Sequence, residues 1–480
     1  MPNYKNIDEI RYQFETKDKG FIHKLLYRKS FFEQFEKSKF TNYQPDDLEL
    51  FANWFSALSD AGEKEKGKLL IALRFFLKTK KPYEIFPDDQ TRIEIVRFGL
   101  WLAEKEPLDD VVWLINQFIT DNDPPVPKDY FGDEKFNYHQ QIINNESVNV
   151  ITTVLGHLAW VIQKLAMKKD YIIKSLQYTK KLLVHPNLYI KLQALIPLIE
   201  IAARRQWLEE YDKQNNTQIY GEFRKIVFDL LNKYSQYKAF ANSLTHIFYY
   251  FKDLTTEEAL EVLDKLKDSR EAASLFVYFG VYRERHYKDK ISFNQKPLKE
   301  KLTSIILDKE EKYEDLRGSI AWHFWRILQE TPDEFATLKP YLNLFFNLPY
   351  NRRYYSSLER IIEEWIEREP EVCINWFVDS IIKLREYVNN NESLARNTWI
   401  EPEKALQFIA ANKPTLLVNQ IKNLTELWKL GAFVGSPRAI FDTYKLVTDP
   451  TLKEEAKNQF RSWYDEMKSL NPKIEEISWE

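Results

Sequence analysis

Residues 186–205 read P-N-L-Y-I-K-L-Q-A-L-I-P-L-I-E-I-A-A-R-R. Beyond the opening turn, only Lys191, Gln193 and Glu200 interrupt the apolar run before Arg204 and Arg205 close it. A helix that is apolar on nearly every face has to be covered on several sides, so the stretch predicts a buried helix within a stack of helices. The chain holds only 11 glycines among 480 residues, which suits helices joined by short connections and disfavours glycine-dependent β or phosphate-loop architectures. The expected class is all-α.

Working outward, looser echoes of that stretch occur at 146–165, 268–287, 313–328 and, more weakly, 351–368. Counted from 186, and allowing one skipped unit before 268, the spacing averages about 41 residues, within the range of two-helix solenoid repeats. The skipped unit is assigned to 220–234. In several echoes a short polar or proline turn precedes a basic residue, which stands three or four positions before a small residue and an apolar run. Lys191 with Ala194, Arg270 with Ala273 and Arg317 with Ala321 fill those positions. This pattern resembles the second helix of a HEAT-type repeat. Three departures stand out: 146–165 lacks the basic residue, Arg352 and Arg353 are followed by tyrosines, and the first 120 residues show a hairpin rhythm without the motif.

The resemblance implies a right-handed α-solenoid of antiparallel helix pairs. The expected divisions are a helical-hairpin region at 1–121, a proline-rich loop at 122–137, HEAT-like repeats at 138–388 and a helical cap at 389–480. Ragged repeats with 13 Trp, 27 Tyr and 32 Phe are also similar in texture to the helical-repeat sensor regions of bacterial STAND-type NTPases in antiphage defence. That likeness implies a sensor or adaptor, and no nucleotide-binding module of its own is read here.

Outside the echoes, helices are expected at 21–37, from Pro45 through Leu58, and at 66–78. Phe86-Pro87-Asp88-Asp89 and Pro107-Leu108-Asp109-Asp110 open two more, with acids in the first turn where the helix dipole favours them. Three prolines and Gly132 break the rhythm at 121–137. In the tail, Pro370, Pro402, Pro414 and Pro437 stand at or near helix starts, as first-turn prolines do, and a last helix runs over 452–470. A loop is expected at 389–393.

The function classes narrow by exclusion. A formal charge of −3 gives no global basic field for nucleic acid or anionic lipid. Cys373 is the lone cysteine, so no intrachain disulfide or Cys-rich zinc site is expected, and a reducing cytoplasm fits. Neither a signal peptide nor a membrane span is read. Gly62-Glu63-Lys64-Glu65-Lys66-Gly67-Lys68-Leu69 has phosphate-loop spacing, but Leu69 lacks the magnesium-binding hydroxyl and a helix precedes it. The seven histidines include no pair at the helical i, i+4 metal spacing. His157 and His323 read as packed residues, as does Cys373. The acid pairs at 46–47, 88–89 and 109–110 are explained by their helix N-termini. No catalytic, cofactor or metal residues are assigned.

What remains is binding. Tyr, Trp and Arg concentrate affinity at protein interfaces. Arg204, Arg205, Arg283, Arg285, Arg352, Arg353, Tyr354, Tyr355 and Trp399 are therefore the candidate partner-binding residues. The expected function is non-enzymatic recognition of a partner protein along a concave solenoid surface. The alternatives are a HEAT-like nucleic-acid-binding protein, with the basic clusters gathered in one groove, and a structural subunit of a larger complex.

Overall fold

The computed structural model describes residues 89–104, 108–120, 138–146, 153–282, 294–390, 402–435 and 437–470, with shorter stretches between 70 and 86, at 399–400 and at the single positions 148 and 479. The expected helices at 21–37 and 45–58, residues 62–69 and the segment 121–137 lie outside the described residues. The chain divides into two compact units, Met1–Phe251 and Lys252–Glu480. That division falls inside the segment assigned to one run of repeats.

In the first unit α1 (Asp89–Leu102) and α2 (Asp109–Phe118) pair, and α1 also packs on α4 (Val154–Ala166). The acids of α2 occupy its first turn, and its buried side chains are Val111, Val112, Leu114, Ile115 and Phe118. A short α3 (Tyr138–Ile143) leads to α4, whose start is capped by Thr153 Oγ1 accepting from the Gly156 N–H at 2.9 Å. Then follow α5 (Ile172–Leu183), α6 (Leu188–Gln193), α7 (Leu195–Ala203), α8 (Arg205–Asn215), α9 (Ile219–Tyr234) and α10 (Lys238–Tyr249). Helix α4 packs on α5 and α7, and α7 in turn on α10.

One expectation needs correction here. Residues 186–205 are not one helix: α6 and α7 meet at a turn on Ala194. Pro197 lies in the first turn of α7, where it has no N–H for the Gln193 carbonyl and its ring crowds that oxygen. The spacing also leaves open which helix packs on this stretch. A helix does occupy 219–234, but the partner of α7 is α10, whose buried face carries Phe240, Leu244, Ile247 and Phe248.

The second unit alternates more regularly. It contains α11 (Thr256–Leu266), α12 (Ala273–Val277, continued by a π turn at Tyr278–Tyr282), α13 (Lys296–Leu307), α14 (Glu314–Glu330), α15 (Phe335–Asn347), α16 (Arg352–Trp365) and α17 (Pro370–Asn390). Next come α18 (Glu403–Asn412), α19 (Pro414–Lys429), α20 (Pro437–Phe441) and α21 (Pro450–Leu470). One row of packed helices runs α11, α13, α15, α17, α19, α21; the other runs α12, α14, α16, α18. Polar links repeat at nearly the same sequence separation: Lys301 to Asp264 at 37, Trp325 to Glu364 at 39 and Arg385 to Glu426 at 41. Each joins a helix to its counterpart one pair along.

Helix α17 continues through Asn390, so residues 389 and 390 of the loop expected at 389–393 are helical, and the rest of that stretch lies outside the described residues. Beyond it the all-α pattern of the described residues is interrupted by a two-residue parallel bridge of β1 (Trp399–Ile400) with β2 (Phe433–Val434). Gly435 ends it with φ near +41° and donates its N–H to the Ile400 carbonyl at 2.8 Å.

Helices α16 and α18 are joined by a carboxylate. Glu363 accepts the Lys404 and Ala405 N–H groups at 3.1 and 3.2 Å, capping the start of α18 from a neighbouring helix. Burial pushes this carboxyl up from 4.5 to about 7; the two backbone donors oppose that shift, the neighbouring Glu403 adds to it, and Lys404 counters it. A carboxyl with a raised folded-state pKa binds its proton more tightly when folded. Its contribution is therefore fully present below about pH 4.5 and fades as pH rises to about 7. In urea unfolding from pH 5 to 7.5, the Glu363→Gln variant should lose less stability than the wild type, by about 1 kcal/mol after allowance for partial solvent screening. Parallel pH profiles would contradict this.

Candidate functional site

The second row of the Lys252–Glu480 unit opens a groove of about 510 Å³ between the turn at Arg270–Ala272 and helices α14 and α16. Its composition follows from helical spacing. Asp315, Ser319 and Trp322 stand at i, i+4 and i+7 on α14, one face of the helix, while Ile320, Ala321, Phe324 and Leu328 face the core. The other wall is the first turns of α16, with Arg353, Ser356 and Ser357. Gly318 lets the two helices approach closely: a Cβ there would meet the Arg353 carbonyl oxygen at 2.8 Å.

Charges in the groove are balanced locally. Arg353 pairs with Asp315 at 2.9 Å and with Glu314 at 3.7 Å, across the helix boundary. Arg270 Nε lies 3.5 Å from Glu271, whose carboxylate also accepts from Ser269 Oγ at 3.1 Å. Trp322 is 43% exposed, edge-on to His323 at 5.0 Å, with the Arg326 guanidinium 5.7 Å from its ring centre. Burial first, and the Arg326 charge second, hold His323 below the ordinary histidine range. Farther along α14, Trp325 Nε1 donates to both oxygens of Glu364 at 3.2 Å, and Arg360 lies 4.8 Å over the Trp325 ring. The face combines exposed indole with oriented guanidinium groups, a composition that favours protein recognition.

The candidate residues fall in several places. Arg353 is in this groove, and Arg352 is exposed beside it. Tyr354 and Tyr355 are not surface residues. They are 3% and 0% exposed, because Asn351 caps the N–H of Arg353 at 2.9 Å and starts the helix before them. Tyr354 packs 5.5 Å from Phe345 and donates to the Pro349 carbonyl, and Tyr355 lies 4.6 Å from Tyr350. Arg204 and Arg205 belong to the other unit. Arg204 pairs with Glu200 and lies 5.5 Å over Trp207, whereas Arg205 donates to the Tyr250 carbonyl at 2.6 Å. Both are bound into the helix stack. Arg283, Arg285 and the side chain of Trp399 lie outside the described residues.

Trp322 was missed as a surface residue because W-H-F-W reads as an apolar run. The signal was present in its helical phase with Asp315 and Ser319. Elsewhere, His157 Nδ1 lies 3.0 Å from the Thr153 carbonyl, and burial pushes Cys373 up to about 12, far from the thiolate form a nucleophile needs. Among the described residues no three His, Cys, Asp or Glu side chains form a group that could hold a metal, and no helix is long and apolar enough to cross a membrane.

No protein-family model matches the chain. No curated protein matches it.

Proposed function

We propose that this chain is a non-catalytic scaffold, a sensor or adaptor that recognises a partner protein on the groove beside α14 and α16. In this reading the paired helices form a right-handed HEAT-like solenoid, and the groove is part of its concave face. The observation that carries it is Trp322, exposed among paired arginines where consecutive helices of one row line a single groove. The likeness to sensor regions of STAND-type proteins supports a defence setting and a cytoplasmic location. Nucleic acid is the weaker alternative, since Arg353, Arg204 and Arg205 are already engaged by acidic or carbonyl oxygens.

The test is capture from native lysate by tagged wild type and by the Trp322→Ala/Arg353→Glu variant, with and without nuclease. A stoichiometric protein retained by wild type after nuclease and reduced about tenfold or more on the variant is expected, the size of a hot-spot loss. Recovery of nucleic acid, with proteins released by nuclease, would overturn the proposal.

A further inference from the structure

A second groove, of about 630 Å³, lies within the Met1–Phe251 unit. One wall is the end of α5 with Lys191 of α6, and the other is a single face of α9. That face recurs at helical spacing from Glu222 to Tyr234, more than three turns and about 18 Å of helix. Ile226, Leu230 and Tyr234, at i, i+4 and i+8, form its apolar stripe. Across the groove stands Val184, which is 80% exposed at the end of α5. A hydrophobic side chain so open, facing an apolar stripe, gains burial only from an occupant.

The rim decides the kind of occupant. Lys180 is held by Glu222 at 2.7 Å, and Lys191 by the Tyr234 hydroxyl at 3.0 Å. Lys225 and Lys233 are exposed on α9 and form no ion pair among the described residues, leaving Asp229 as the one unpaired acid of the lining. The local balance is basic although the chain as a whole carries −3. The floor is aliphatic apart from Tyr234 and offers no row of rings for base stacking. An apolar stripe about two helical turns long, bounded by lysines without ion pairs, matches the helix-in-groove mode of recognition.

From this we infer that the α5–α9 groove is a docking site for an acidic amphipathic helix of a partner protein. The site is separate from the α14–α16 groove and does not rest on the function proposed for it. Leucine-type side chains would enter between Val184 and the Ile226-Leu230-Tyr234 stripe, and carboxylates on the ligand's flanks would meet Lys225 and Lys233.

The test uses the full chain and a fluorescein-labelled helical peptide of about 18 residues, or about five turns. Its apolar face carries leucines at i, i+3, i+4 and i+7, and its remaining positions carry glutamate. Saturable anisotropy binding is expected for this peptide and none for its lysine counterpart. Lys225→Glu/Lys233→Glu should weaken it about tenfold or more, mainly by slowing association, and Val184→Glu by a similar factor. Lys265→Glu/Lys309→Glu, the same charge change at exposed sites in the other unit, should leave it unchanged, as should Trp322→Ala. Circular dichroism of each variant verifies folding. No saturable binding, equal loss in the Lys265/Lys309 control, or stronger binding to phosphatidylserine vesicles than to the peptide would each overturn the inference. Loss of peptide binding as an outcome leaves lysate capture at the other groove untouched, so the two proposals fail separately.

Discussion

Replacing Trp376 with alanine is expected to remove about 3–5 kcal/mol from the stability of the Lys252–Glu480 unit, the range for deleting a buried large aromatic. Trp376 of α17 is 5% exposed and stacks on Phe346 of α15 at 4.4 Å with the ring planes 13° apart. Its other neighbour, Phe335, lies 6.0 Å away and is itself stacked on Trp365 of α16. The indole thus links three successive helices, and no single neighbour can collapse into the space it leaves. Its Nε1 also donates to Asn343 at 3.0 Å, a hydrogen bond that truncation removes, although Asn343 itself is exposed and can turn to water. Thermal unfolding should show one transition of the two-unit chain falling by about 6–20 °C while the other holds. Trp376→Phe keeps a ring and loses the N–H, so it should cost about 1–2 kcal/mol. A drop under about 1 kcal/mol for the alanine variant would mean that the aromatic chain does not bear on stability.

The periodic and punctuation signals that locate helices were strong in this chain, whereas those that decide which side chain faces where were weak. The acid-opened start of α2 and the proline-marked starts of α17, α19 and α20 are local features, and the structure has them where the sequence puts them. The break at Ala194 was hidden by unbroken hydrophobicity, although Pro197 carried the signal. The choice of α10 over α9 as the partner of α7 is a tertiary matter. Spacing along the chain gives the length of a helix pair but not which member joins which row. At Tyr354 and Tyr355 the deciding residue was Asn351: once it caps the helix, helical phase turns both rings inward. Arg317, the basic residue of the HEAT-like motif, shows the same limit. It is 6% exposed, close enough for its charge to act on Tyr354, and unable to serve as a surface contact. The groove itself was legible only in part, through Arg353, because a groove is a property of three segments and not of one.

Two helical glycines should respond to substitution with opposite signs, and Gly318 is the one that ties stability to the site. In a helix interior with free space, glycine to alanine gains about 0.8–1 kcal/mol through reduced backbone entropy loss. Gly221 of α9 has nothing within 4 Å of the place where an alanine methyl would sit, so Gly221→Ala should stabilise by up to that amount. At Gly318 the same methyl meets the Arg353 carbonyl oxygen at 2.8 Å and its carbon at 3.2 Å. These are backbone atoms in the first turn of α16, and they can move only if the helix moves. Overpacking of this kind costs about 1–3 kcal/mol, which outweighs the propensity gain. Gly318→Ala should therefore destabilise by about 1–2 kcal/mol, and Gly318→Val, with a larger side chain and poorer helix propensity, by about 3 kcal/mol or more. Pushing α16 from α14 also separates Arg353 from Asp315 and widens the groove. Partner capture should then fall with Gly318→Ala even at a temperature where circular dichroism shows the chain fully folded. If Gly318→Ala stabilises as Gly221→Ala does, the close approach of α14 and α16 is not a constraint on the fold, and the groove does not depend on it.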